Sequence, residues 1–411
     1  MSRGIVTAPQ ILLPDPGHVD YGKWSVVACD QFTSEPEYWL RLNEYVGESA
    51  SSLRLVYPEV YLDDRREERI SAINRTMQEY RSAGVWTTLD RGLILVERMT
   101  PSGRRIGLVA AVDLEAYSYE PNGSPLIRAT EGTVLSRIPP RVQIRRNATV
   151  ELPHIMLLLD DRRKSVIEPL YARRGDLQKL YDFDLNMGGG HLRGYFVSDW
   201  EPVIARMEEL LSPELLLEKY GTQEQILLAV GDGNHSLATA KACWEEIKEG
   251  LSEAERKVHP ARFALCEIVN IHDEGIRFEP IHRAVFGADP DNFISNLREA
   301  LRDCRGSQTS CLLGDLEFRM PVSADTAETY GIVQKFLDEY CARCGCKVDY
   351  IHGEQSLRQI CREKNCAGIL MPALAKEDLF GYVLNHGPLP RKTFSMGEAV
   401  EKRYYLEAKL I

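Results

Sequence analysis

The stretch from Gln225 to Glu249, QILLAVGDGNHSLATAKACWEEIKE, constrains the fold of this chain more than any other. The apolar run Ile226–Val230 suits a buried strand. Gly231, Asp232, Gly233, Asn234, His235 and Ser236 form a tight polar loop, and Leu237, Ala240, Trp244 and Ile247 then recur at helical spacing up to Gly250. The two glycines let the backbone turn sharply and come close to a ligand, and the first N–H groups of the helix point into the same space. An anion, most often a phosphate, suits such a place. The loop also offers a carboxylate, an imidazole, an amide and a hydroxyl. A plain strand-to-helix turn needs only one of these as a cap, so the surplus points to function, with capping by Asp232, Asn234 or Ser236 as the alternative.

At 411 residues the chain has room for two or three domains. Its net charge is -11 and its longest basic block is Arg162-Arg163-Lys164, which opposes nucleic-acid binding but leaves room for local positive charge around a small anion. The opening MSRGIVTAPQILLPDPG has no apolar core, and no apolar run approaches the length of a bilayer span. The ten cysteines follow no framework spacing and read as reduced thiols. The expectation is a cytoplasmic protein without membrane or nucleic-acid partners. Its oligomeric state is not legible.

Along the chain, Trp24–Cys29 reads as a short buried strand that ends at Asp30, and residues 64–84 as an amphipathic helix. Leu93–Arg98 and Arg105–Val112 flank a turn and predict a hairpin. The segment Leu126–Asn147 gathers Arg128, Arg137, Arg141, Arg145 and Arg146 around Glu131, which makes it the candidate phosphate clamp, or else a solvated basic face. Pro139-Pro140 rules out one continuous helix through it. His154–Leu159 reads as another buried strand, and Gly188-Gly189-Gly190 as a hairpin tip or an anion loop. Beyond Arg305 strands and helices alternate anew, so the expected division is a core over 1–305 and a smaller α/β lobe over 306–411, in a mixed α/β (α+β) chain. Cys341, Cys344, Cys346, His352, Cys361 and Cys366 invite a zinc reading, but the first two fall in a helix that Gly345 should end, and ordinary thiols are favoured.

No Walker loop, dinucleotide fingerprint, nucleophile elbow or zinc-protease motif is present. VGDGNHSLATA (Val230–Ala240) resembles the Asp-Gly-His-His-Arg strand–loop–helix motif of a bacterial family known as domain of unknown function 1015. Arg128-Ala129-Thr130-Glu131-Gly132-Thr133 resembles that family's His-Glu-centred segment, with Arg141 where a following arginine is expected. Pro280-Ile281-His282-Arg283 and Lys392-Thr393 are similar to its Pro-Thr-His-Arg and Pro-Lys-Ser/Thr segments. Here Asn234 replaces the first histidine of the motif and Ser236 its arginine, so a remote cation has to take the arginine's place.

More remotely, the loop is similar to the phosphate motif of the ParB/sulfiredoxin superfamily, which implies a ParB/sulfiredoxin-like catalytic core. Sulfiredoxin chemistry needs a cysteine that this loop lacks, and a DNA-bound switch needs basic charge. What remains is a nucleotide-dependent phosphotransferase for a small hydroxyl compound, free L-serine being implied by the resemblance alone. On this expectation Gly231, Gly233, Asn234 and Ser236 cradle the nucleotide phosphates and His235 contacts the transferring group. Asp232 or Glu131 acts as base or holds Mg²⁺ beside ATP or ADP, and Arg128 and Arg141 stabilise developing charge. Asp30, His282, Arg283 and Lys392 are additional candidates. A non-catalytic nucleotide-binding regulator, and a phosphoester hydrolase using Asp232, are the alternatives.

Overall fold

The computed structural model describes residues 4–62, 64–120, 123–133 and 138–411. It is mixed α/β and divides into two compact units. The larger comprises Met1–Ala129, Thr133–Ile276 and Gly397–Ile411, and the smaller Thr130–Gly132 with Arg277–Met396.

In the larger unit a ten-stranded sheet runs in the order Gln178–Asp184, His191–Val197, Leu93–Thr100, Gly103–Asp113, Phe263–Asn270, Met156–Leu159, Leu228–Asp232, Ile127–Arg128 and Tyr117–Ser118. Val6–Thr7 pairs on Gly103–Asp113. The predicted hairpin is present, with Thr100 opposite Gly103. The first half of its first strand, residues 93–96, is apolar without interruption because both faces are covered. Leu93 and Leu95 enter one hydrophobic cluster, and Ile94 and Val96 the other. The triple glycine joins Gln178–Asp184 to His191–Val197. Gly190, at φ +85°, passes so close to the Met99 carbonyl that a Cβ would lie 1.9 Å from its oxygen, so this turn is built for a close crossing of backbones.

The C-terminal segment belongs to this larger unit, where it lies against the N-terminal one. Ala28 donates its N–H to the Lys402 carbonyl at 2.7 Å, Tyr404 to Val26 at 2.9 Å, and Lys409–Leu410 pairs with Val150–Glu151. Trp24–Cys29 is not a strand. Asp20 caps a short helix, Tyr21–Trp24, by accepting from Gly22, and Val27 makes only an isolated bridge to Arg403.

The smaller unit has its own six-stranded sheet, ordered Leu316–Pro321, Gln308–Leu313, Ala367–Ile369, Phe278–Phe286 and Lys347–His352, with Phe394–Met396 on Phe278–Pro280. Helices Pro290–Ala300 and Thr326–Cys344 bury Phe293, Leu297, Tyr330 and Leu337 with Val285 and Ile369. The junction therefore falls at Ile276/Arg277 instead of 305/306. Phe278–Phe286, which the sequence places before the junction, is paired on both sides by later strands and is central to this sheet.

Candidate functional site

The strand Leu228–Asp232 pairs antiparallel with Met156–Leu159 and parallel with Ile127–Arg128. Its register on Met156–Leu159 skips between Val230 and Asp232, which makes Gly231 the extra residue of a bulge. Gly233 follows at φ +82°, and a Cβ there would sit 3.1 Å from both Cα and Cγ1 of Ile155. Conformation and space both demand glycine. The site helix, Asn234–Lys248, begins with no side-chain cap. Asp232 Oδ1 instead accepts the N–H of Gly233 at 3.0 Å, and the N–H groups of Ser236 and Leu237 turn to the Gly233 carbonyl, each at 3.0 Å. The capping alternative is thereby removed, because none of the three candidate side chains performs it.

Charge converges on this turn from distant parts of the sequence. Lys402 Nζ lies 3.2 Å from Asp232 Oδ2, and His154 Nε2 lies 3.1 Å from Ser236 Oγ. Burial pushes the Asp30 carboxyl up, but the charge of His154, the hydrogen bond from Gln31 (2.9 Å) and the charge of Lys402 outweigh it and hold Asp30 below its ordinary value. The Tyr404 ring meets His154 edge-on at 5.0 Å, and its hydroxyl donates to Cys29 Sγ at 3.0 Å. Burial pushes the Cys29 thiol up to about 12, which leaves it protonated and inert. Asp232, Lys402 and His154 thus gather at an uncapped helix N-terminus, with Asp30 in the field of the last two.

The arginine segment resolves into ion pairs. Arg128, buried, bonds Glu224 at 2.7 Å and the carbonyls of Pro125 (3.1 Å) and Gln225 (3.2 Å). Arg145 pairs with Glu151, and Arg146 with Glu246 at 2.9 Å. Arg137 lies outside the described residues. Arg141 pairs with Glu59 and, like Arg145, lines a cavity with Ser236. Pro139 and Pro140 fall in the first turn of helix Ile138–Arg145, where a missing N–H costs little.

His235 is the second residue of the site helix, half-buried, and its carbonyl accepts the Thr239 hydroxyl at 2.7 Å. Glu131 belongs to the smaller unit, where it bridges Leu389. Arg283 is in the same unit, fully buried, donating to the carbonyls of Ile281 (2.6 Å) and Lys392 (3.0 Å) under the Tyr350 ring. His282 Nδ1 accepts from the Met371 N–H at 3.0 Å, and burial lowers the ring to about 4, so it is neutral. Lys392 itself is exposed.

Sequence reasoning passed over His154, Lys402, Tyr404 and Glu59. Their only signal was position, since each lies far along the chain from the loop. With Ser236, Thr239, Arg141 and Cys29, three of these (His154, Tyr404 and Glu59) line a cavity of about 150 Å³ beside the site helix. Among the described residues no group of three or more His, Cys, Asp or Glu side chains is disposed to hold a metal. In the cysteine-rich segment, Cys361 and Cys366 sit 3.9 Å apart, and burial raises the Cys361 thiol to about 12. No helix among the described residues is long and apolar enough to cross a membrane.

Comparison with known proteins gives one sequence match. The family model described as "Protein of unknown function (DUF1015)" covers residues 13–364. Among curated proteins none matches. A conserved hypothetical protein from Pyrococcus furiosus is similar with a TM-score of 0.37 and 12% identity, over 74% of this chain and 94% of that one. A free serine kinase in complex with AMP gives 0.40 and 10%, over 73% and 91%. SbnI with a C-terminal truncation, from Staphylococcus aureus, gives 0.37 and 11%, over 70% and 82%.

Proposed function

We infer that this chain, which belongs to the DUF1015 family of proteins of unknown function, is a nucleotide-dependent phosphotransferase acting on a small hydroxyl compound. One observation carries the reading: the uncapped start of the site helix lies beside Asp232 and its ion pair to Lys402. A helix N-terminus favours a phosphate, and a lysine next to it neutralises the phosphate's charge. Phosphoryl transfer asks for little more than such positioning, together with a carboxylate to orient the attacking hydroxyl.

In this account the backbone at Asn234 and His235 receives the nucleotide phosphates, and Lys402 with Arg141 balances developing charge. Asp232, or Asp30 in the field of the same Lys402, orients the acceptor hydroxyl, and His154 takes up or relays its proton. Mg²⁺ with ATP or ADP is the implied cofactor. Asp232 is the carboxylate at the turn, and Mg²⁺ accepts a single carboxylate when phosphate oxygens and waters complete its shell. Bound there, it would neutralise phosphate charge. Arg128 is not needed for the reading, because its guanidinium is held by Glu224 and by the carbonyls of Pro125 and Gln225. Glu131 belongs to the smaller unit and is not needed for the reading. Free L-serine as acceptor comes from the resemblance and from no residue of the site.

The test is a thermal-shift and calorimetric screen with ATP, ADP and CTP, each with Mg²⁺, followed by turnover with L-serine and other alcohols. A nucleotide should bind, and Asp232→Asn should lose turnover while keeping its fold. No nucleotide binding at millimolar concentration refutes the reading. Binding without turnover on any acceptor favours a regulator, and phosphate release indifferent to added alcohol favours a hydrolase.

A further inference from the structure

The cavity of about 150 Å³ is lined largely by hydrocarbon, from Leu55, Val56, Met77, Ile144, Val150 and Leu152. Most polar groups on its walls already have a partner. Arg141 is held by Glu59 and Arg145 by Glu151. The Tyr404 hydroxyl donates to Cys29 Sγ at 3.0 Å, and Thr239 donates to the His235 carbonyl at 2.7 Å. Ser236 keeps hydrogen-bonding capacity to spare beside His154. Its contact with His154, at 3.1 Å, uses one of the three hydrogen-bonding positions of a hydroxyl.

A space so lined selects its occupant. A ligand that pushed a hydrogen-bonding edge against these walls would leave that edge unpaired, at a cost of about tenfold or more in affinity per group. Each methylene placed there gains about fourfold. A dry cavity on the order of 150 Å³ is known to take benzene. A purine is larger and carries polar edges, whereas L-serine offers one methylene and would leave the space unfilled.

We propose that this cavity is the subsite for an apolar group of the acceptor, which is a hydroxyl compound bearing a single ring or a compact branched alkyl chain. The hydroxyl sits at the Ser236–His154 contact and the apolar group lies between Met77, Val150 and Leu152. The word acceptor rests on the phosphotransferase reading, while the apolar class of ligand rests on the cavity alone.

The experiment uses the full chain without nucleotide. Binding of 4-fluorobenzyl alcohol is followed by ¹⁹F NMR, with 3-methylbutan-1-ol and L-serine as competitors. The fluorinated alcohol should bind, the branched alcohol should displace it, and L-serine should not. Ala148, which also lines the cavity, is changed to fill it: Ala148→Phe should weaken alcohol binding at least tenfold and leave the nucleotide-induced thermal shift in place. Met77→Ala, which enlarges the cavity, should move the preference from benzyl alcohol towards 2-phenylethanol, and it keeps the proposal testable if Ala148→Phe does not fold. Absence of alcohol binding overturns the proposal, as does binding that neither variant alters. Alcohols bound without any nucleotide affinity would uphold the cavity and sink the kinase. Nucleotide bound without alcohols would do the reverse.

Discussion

Replacing Gly233 by alanine tests whether the turn is built around that residue, and a second glycine supplies the control. Gly221 has φ +70°, with nothing within 4 Å of where its Cβ would lie. Gly221→Ala therefore reports the left-handed conformation alone, about 1–2 kcal/mol. Gly233→Ala carries the same strain at φ +82° and adds a methyl 3.1 Å from the Ile155 Cα, a backbone atom in the segment just before a sheet strand. Overpacking of that kind costs about 1–3 kcal/mol. The expected totals are thus about 1–2 kcal/mol at Gly221 and about 2–5 kcal/mol at Gly233. Hydrogen exchange read by mass spectrometry over Leu228–Asp232 and the site helix gives the local opening free energy directly, which suits a chain of two units better than one global melt. Equal costs for the two substitutions would refute the close-approach argument, and no cost at Gly233 would refute the turn geometry itself.

Three further expectations follow from the same structure. Burial raises Glu407 to about 7 against an ordinary 4.5, with the Tyr181 hydroxyl donating to it at 2.6 Å. The folded state therefore keeps a proton that the unfolded chain has lost. The stabilisation is full below pH 4.5 and drains away by roughly 3 kcal/mol as pH rises to about 7. Glu407→Gln should flatten that slope in urea unfolding at pH 5 to 8, and parallel slopes would count against it. Arg128→Ala should destabilise by about 2 kcal/mol, since it strands two carbonyls and a half-exposed Glu224, yet leave nucleotide affinity within about twofold. Lost affinity at unchanged stability would restore Arg128 to the site. Lys402→Met removes one of the charges that hold the Asp30 carboxyl down, so that carboxyl should titrate higher by ¹³C NMR and nucleotide affinity should fall about tenfold or more.

The strand–loop–helix was legible because its determinants are local. An apolar run, a glycine that only a left-handed turn needs, and a helical stripe ending in Trp244 sit within one stretch of chain. The partners of the arginine segment were not legible, for the opposite reason. Its residues are neighbours in sequence, but each guanidinium described there finds its acid elsewhere: Glu224 for Arg128, Glu59 for Arg141, Glu246 for Arg146. Lys402 and Tyr404 were invisible because only the docking of the C-terminal segment on Val26–Ala28 carries them to the turn. The short helix at Tyr21 had a readable signal in Asp20, which the apolar run after it obscured. The unit boundary was misjudged because Phe278–Phe286 finds its partners only among strands much later in the sequence.

The central claim is that phosphate is received by the backbone at the start of the site helix. The most direct measurement is a ¹⁵N TROSY titration of the full chain with ADP and Mg²⁺, following the amides of Asn234 and His235. The account predicts saturable shifts at these amides, lost together in Lys402→Met. A nucleotide that binds while these amides stay unmoved would contradict it.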